Sequence, residues 1–317
     1  METEFKTLLD REKQIRDVQR YFKSRINTLR DMVNYGSWLI PRAYDSSAKG
    51  WAAMIVIGVL LKQVVMMIDS IEVLISSGIS TPGLLQGRAA FEASLYVEWI
   101  LKEDSENRAK HYYVSNLRNK RNWALRMIVG TPQEKEFSDD TQELRPNINF
   151  DGIDLEKLAK EQLADINRIL SQGSLKTIDR EFEELSPKKT REPHWYAPIT
   201  KKNSLRKIAA NVNRMPEYIF YYGRGSEVMH SSLYSHHIEI SKQRISLKSI
   251  RNLSEMNTVI YNAMVVAIHT YRIIILKYRP GENRNFSNKY TKDWKKDFLN
   301  IPSVKYQVGN GSPTSTA

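Results

Sequence analysis

Arg224 and His230, six residues apart in Arg-Gly-Ser-Glu-Val-Met-His, are the pair in this sequence best suited to chemistry on a phosphodiester. A guanidinium grips two phosphate oxygens at once and offsets the charge of a pentacoordinate phosphorane. An imidazole titrating near neutrality takes the proton of a ribose 2′-hydroxyl or returns one to the departing oxygen. Such steps cut RNA to a cyclic phosphate and a free 5′-hydroxyl, and they call for no metal and no cofactor. Six residues make about 1.7 helical turns, so the two side chains do not stack on one helix line. An irregular start at Gly225, or a symmetry-related copy of the chain, is needed to bring them to one phosphate. Ser226 and Glu227 stand between them as supporting polar groups. The bland alternative has Arg224 bridging a nearby carboxylate, His230 filling a polar niche between helices, and Ser226 capping the helix.

His230, His236 and His237 also form the pattern H-x5-H-H, with Glu239 close by. The first and third share a helical face, but the adjacent pair diverges and no His-Glu-x-x-His arrangement is present, so no metal site is expected. The chain has no cysteine, which removes disulfides, a thiolate nucleophile and thiolate metal ligands and fits a reducing, cytoplasmic setting. GxxxxGK[ST], GxGxxG and GxSxG motifs are absent, so the common nucleotide-binding and hydrolase mechanisms lose support.

Other polar groups could serve or merely support such a site. Arg88 and Glu92 lie at i and i+4 in an otherwise apolar helix, where a buried intrahelical ion pair would specify packing or orient His230. Lys188, Lys189, Arg191, Trp195, Tyr196, Lys201, Lys202, Arg206 and Lys207 interleave basic and aromatic side chains, a composition that holds a phosphate backbone and stacks an unpaired base. The same residues also suit a solvated loop anchored by its two rings. Lys and Arg total 48 against 36 Asp and Glu, a formal charge of +12. That excess favours RNA or another polyanion as partner without naming one.

The elements that must position these groups read as helices throughout. Residues from Glu4 to Val33 suit a surface helix, whereas Gly36, Pro41 and Gly50 argue against its continuing, so residues 1–50 read as a helix and linker. Trp51 to Ile75 is apolar on nearly all faces and belongs inside a bundle or at a subunit interface. Lys62 and Asp69 interrupt it as a membrane span, and no membrane association is expected. Ser80 or Thr81 caps the next buried helix, with Pro82 in its first turn and Leu84, Leu85, Phe91, Leu95 and Trp99 at helical intervals. A third core helix covers Asn107 to Ile128. The least regular stretch, 130–198, carries two amphipathic helices and reads as an insertion in a core spanning 51–278. Leu253 to Tyr278 forms the last long apolar helix, followed by a basic, flexible tail over 279–317. The expected fold is all-α, a multi-helix bundle without repeats or a clear seam for a second globular domain.

Leu84-Leu-Gln-Gly-Arg-Ala-Ala-Phe-Glu92, Trp195, Ser204-Leu-Arg-Lys-Ile-Ala209 and Tyr221-Tyr-Gly-Arg-Gly-Ser-Glu-Val-Met-His230, in that order, resemble the bacterial family of unknown function numbered 5677 over about residues 50 to 278. That resemblance implies an all-helical fold with an Arg-x-x-x-Glu helix and a later Tyr222, Ser226, His230 segment. More distantly, Arg224 and His230 resemble the Arg-x4-6-His motif of HEPN ribonucleases, which work across a dimer. Gly225 stands where that superfamily often has a polar residue. This likeness implies a homodimeric, RNA-cleaving toxin or defence effector. The competing reading is a noncatalytic helical interaction or regulatory protein.

Overall fold

A computed structural model describes residues 8–45, 50–141, 154–185, 192–201, 204–232, 234–241, 244–306 and 313–315. The fold is all-α, a multi-helix bundle with irregular helical segments, and it divides into two compact units. The first comprises residues 1–49, 57–103 and 206–317; the second comprises 50–56 and 104–205. The boundaries between the units fall within the helices spanning 51–76 and 205–211 as well as between helices.

In the first unit, α1 (Arg11–Tyr44), α2 (Trp51–Ser76, from residue 57), α3 (Thr81–Lys102) and α12 (Met256–Tyr278) supply the core. Phe22, Leu29, Leu61, Ile68, Phe91, Leu95, Ile260 and Ile274 are fully or almost fully buried. α1 runs straight through Gly36 and Pro41, contrary to the expected break. Gly36 is needed for packing: a Cβ there would lie 2.6 Å from both the Tyr271 ring and Val65 Cγ2. Pro41 falls in the final turn, where the chain has little helix left to disrupt. Ser80 stands at the start of α3 but donates its hydroxyl to the Asn252 carbonyl instead of capping the helix.

α2 and α12 are long and apolar enough to cross a membrane. They are core helices here, with 50% and 61% of their apolar windows buried against protein. Past α12, the first part of the expected tail, through Leu299, is helical. α13 (Asn283–Lys289), a π turn (Tyr290–Trp294) and α14 (Lys295–Leu299) continue the helical body. Trp294 is fully buried, and Asp297 accepts hydrogen bonds from Ser24 and Thr28 of α1.

The second unit is built on α4 (Ser105–Arg126), with α5 (Pro132–Thr141), α6 (Leu155–Leu170), α7 (Gly173–Leu185) and the short α8 (Ala197–Thr200). Val114, Leu117, Ile166, Leu170, Ile178 and Phe182 form its core. α4, expected in the main core, therefore organises the region read as an insertion. The Glu106 carboxylate accepts the Ala52 and Ala53 amides, satisfying donors at the start of α2. Arg118 is buried and held by Asp179 and Glu192, so this basic residue of α4 serves the packing of its own unit.

Three short helical pieces carry the chain toward the candidate site: α9 (Leu205–Asn211), α10 (Met215–Glu217) and α11 (Gly223–Met229), the last two joined by a π turn at Tyr218–Tyr222. Two antiparallel strand pairs, β1 (Ile238–Ser241) with β2 (Arg244–Leu247) and β3 (Val304–Tyr306) with β4 (Pro313–Ser315), are minor additions that helical periodicity did not anticipate.

Candidate functional site

The π turn is closed by the Gly223 amide donating to the Tyr218 carbonyl, a bond that widens the helix at a tyrosine-rich segment. α11 then crosses α3 at Gly225. A Cβ there would lie 2.5 Å from Arg88 Cβ and 2.7 Å from the Leu84 carbonyl oxygen, so glycine permits this approach. The close crossing joins two separate sequence segments. Arg88 Nη2 donates to the Tyr222 hydroxyl at 2.9 Å, and its guanidinium lies 4.4 Å from the Tyr222 ring centroid. Arg88 Nη1 contacts Met229 Sδ at 2.9 Å.

Tyr218 stacks on Tyr222 at 5.0 Å. Burial, then the neighbouring Tyr222, push the Tyr218 phenol above its ordinary value, while Arg206 and Arg88 pull it back. Arg88, Arg206 and the two phenols therefore share one electrostatic neighbourhood. Glu92 is not the ion-pair partner expected for Arg88: its carboxylate accepts from the Tyr96 hydroxyl at 2.7 Å, because the nearby tyrosine cluster captures Arg88 instead. Neither Arg88 nor Glu92 is fully buried.

Arg224 pairs with His236 and Glu255 rather than with His230. Arg224 Nη2 lies 3.1 Å from His236 Nε2 and 3.1 Å from Glu255 Oε1, and His236 Nδ1 lies 3.5 Å from the same oxygen. His230 is exposed at the end of α11, where Ser231 adopts a left-handed conformation with φ 53° and turns the chain away. Glu255 stands just before α12. The substitution of His236 for His230 follows from this geometry: the helix ends before it can return toward Arg224, and the next short helical turn delivers His236.

Arg224 Nε and Glu255 Oε2 are buried and have no hydrogen-bond partner among the described residues. A bidentate guanidinium–carboxylate pair would employ more of both groups. Here Arg224 shares one nitrogen between an imidazole and one carboxylate oxygen. Ser226 contributes its carbonyl to the His230 amide, and Glu227 its carbonyl to Ser232, so both act through the backbone at the helix end.

Of the nine remaining expected residues, two are buried, three are exposed and four lie outside the described residues. Trp195 and Tyr196 are buried, packed edge to face with Tyr112 and with each other, so these rings serve the core instead of offering an open stacking surface. Lys201 is exposed after α8 in the second unit, and Arg206 and Lys207 are exposed on α9 in the first. Lys188, Lys189, Arg191 and Lys202 lie outside the described residues. Among the described residues, no group of three or more His, Asp or Glu is arranged to hold a metal ion.

The family model for DUF5677, a family of unknown function, matches residues 54–245. The chain belongs to that family. The DUF5677 match covers Arg88, the π turn, Arg224, His230 and His236, while Glu255 lies beyond it. No curated protein and no solved structure matches this DUF5677 chain.

Sequence reading missed Glu255 and the pairing of His236 with Arg224. It also missed a polar network in which buried Arg214 donates to Ser94 at 2.8 Å and to Glu217 at 3.1 Å, while Glu98 bonds His269 at 2.8 Å. A cavity of about 460 Å³ lies beside Glu98, lined also by Lys102, Asn211, Ile273 and Lys277. Its residues come from distant segments, leaving no compact motif to read.

Proposed function

We propose that this protein is a metal-independent, RNA-cleaving toxin or defence effector acting in the cytoplasm, with Arg224, His236 and Glu255 at its acid–base centre. The observation that carries the reading is His236 held between a carboxylate near Nδ1 and a guanidinium near Nε2. Glu255 favours the imidazole tautomer with its proton on Nδ1, leaving the Nε2 lone pair for base catalysis. In the reaction, Nε2 takes the 2′-hydroxyl proton as the oxygen attacks phosphorus. Arg224 turns from its internal partners to the non-bridging oxygens. Water supplies the proton taken up by the departing 5′ oxygen, producing a cyclic phosphate and a 5′-hydroxyl.

The alternative is a noncatalytic helical interaction or regulatory protein. It draws on the Arg224–Glu255 ion pair, which also has a structural role as a bridge before α12. Incubation of the full chain with labelled single-stranded and structured RNAs in chelator separates the readings. Wild type is expected to leave cyclic phosphate ends, while His236→Ala and Arg224→Ala each lose about 10² to 10⁴ in rate. Uncut RNA with wild type, or undiminished cleavage by both variants, refutes the proposed reaction.

A further inference from the structure

We propose that the exposed face of α2 forms a homodimer seam in which two copies pack antiparallel about a two-fold axis at Met66. This inference is independent of RNA cleavage. Within the first unit, one side of α2 is buried through Leu60, Leu61, Val64, Ile68 and Ile71. A different line, Val59, Lys62, Met66, Asp69 and Val73, is exposed. Its alternating four- and three-residue spacing keeps these side chains on one helical face. Val59, Met66 and Val73 are 54%, 46% and 57% exposed, an unusual position for apolar residues of a core helix.

The chemistry of this line selects its occupant. It runs apolar, basic, methionine, acidic, apolar, and reversing it exchanges only the signs of the charges. About Met66, an antiparallel copy places Val59 against Val73 and Lys62 beside Asp69 at both ends. Lys62 and Asp69 lie about 6 and 4.5 Å from the axis along the helix, an offset smaller than the reach of lysine. Parallel pairing would oppose lysine to lysine and aspartate to aspartate. Insertion of the face into a bilayer would place both charges in hydrocarbon without such partners.

Analytical ultracentrifugation of the full chain at micromolar concentrations tests the seam. Wild type is expected to dimerise. Lys62→Glu and Asp69→Lys should each weaken association at least about tenfold, whereas the double exchange should restore it. The cysteine-free background adds a geometric test. Met66→Cys should be captured as a covalent dimer by a short bis-maleimide, and Val129→Cys, more exposed than Met66 and in the second unit, should not. The proposal is overturned by a monomeric wild type, by a dimer indifferent to either charge reversal, or by failure of the double exchange to restore association. Vesicle binding by a wild type that stays monomeric likewise overturns it. Circular dichroism of each variant checks that the exposed substitutions leave the fold intact.

Discussion

Replacing Gly225 with alanine tests whether the crossing of α3 and α11 holds the candidate site together. The added Cβ would meet Arg88 Cβ at 2.5 Å and the Leu84 carbonyl oxygen at 2.7 Å. Neither obstacle is the mobile end of a side chain. Ordinary carbon contacts are about 3.5 to 4.0 Å, so the helices must separate by about 1 Å. A shift of that size stretches the 2.9 Å Arg88–Tyr222 bond beyond hydrogen-bond range. Overpacking costs about 1 to 3 kcal/mol, whereas alanine in place of glycine gains roughly 1 kcal/mol in helix propensity. The expected net loss is therefore about 0 to 2 kcal/mol.

Gly87→Ala supplies the reference because it lies within α3 and a Cβ there meets nothing within 4 Å. It should gain about 0.5 to 1 kcal/mol from propensity alone. Urea unfolding followed by far-ultraviolet circular dichroism should separate the variants by about 1 to 3 kcal/mol. If Gly225→Ala stabilises the protein as much as Gly87→Ala, the proposed close crossing is refuted.

Trp294→Ala should cost about 3 to 5 kcal/mol, because the indole is fully buried and donates to Asp31 at 2.7 Å. Its urea midpoint should fall and proteolysis in 283–299 should accelerate; wild-type resistance would refute the packing assigned to these helices. The Glu282 carboxyl is held below its ordinary value by the hydrogen bond from Arg42, with Arg279 acting in the same direction. A lowered folded-state pKa makes its stabilisation complete above the unfolded value and progressively lost as pH falls through the folded value. Thermal unfolding from neutral into acidic pH should therefore show a steeper loss for wild type than for Glu282→Gln, and identical slopes would refute this linkage.

The sequence revealed elements more readily than partnerships. Apolar runs identified α2, α3 and α12 because each must bury much of its surface, and the amphipathic patterns identified α6 and α7. Gly36 and Pro41 misled the reading of α1, since one glycine accommodates Tyr271 and the proline falls in the last turn. The family pattern singled out Arg88, Tyr222, Ser226 and His230, but spacing did not disclose that Arg88 would reach Tyr222 in preference to Glu92. Trp195 and Tyr196 had the composition of a base-stacking surface, and only tertiary packing assigned both rings to the interior.

The partnership of Arg224 illustrates why a sequence interval is weaker than a placed side chain. His230 is six positions away, yet a left-handed residue follows it and ends α11; His236 is twelve positions away and lies 3.1 Å from the guanidinium. Glu255 comes from the approach to α12 and completes the group. Leaving Arg224 Nε and Glu255 Oε2 buried without partners among the described residues costs about 1 to 3 kcal/mol for each unsatisfied group. A pair selected only to join the two segments would be more stable with both edges engaged. Glu255 sits 3.5 Å from His236 Nδ1 while about a third of the Arg224 side chain stays exposed, which is why this group, and not the original Arg224–His230 interval, carries the proposed chemistry.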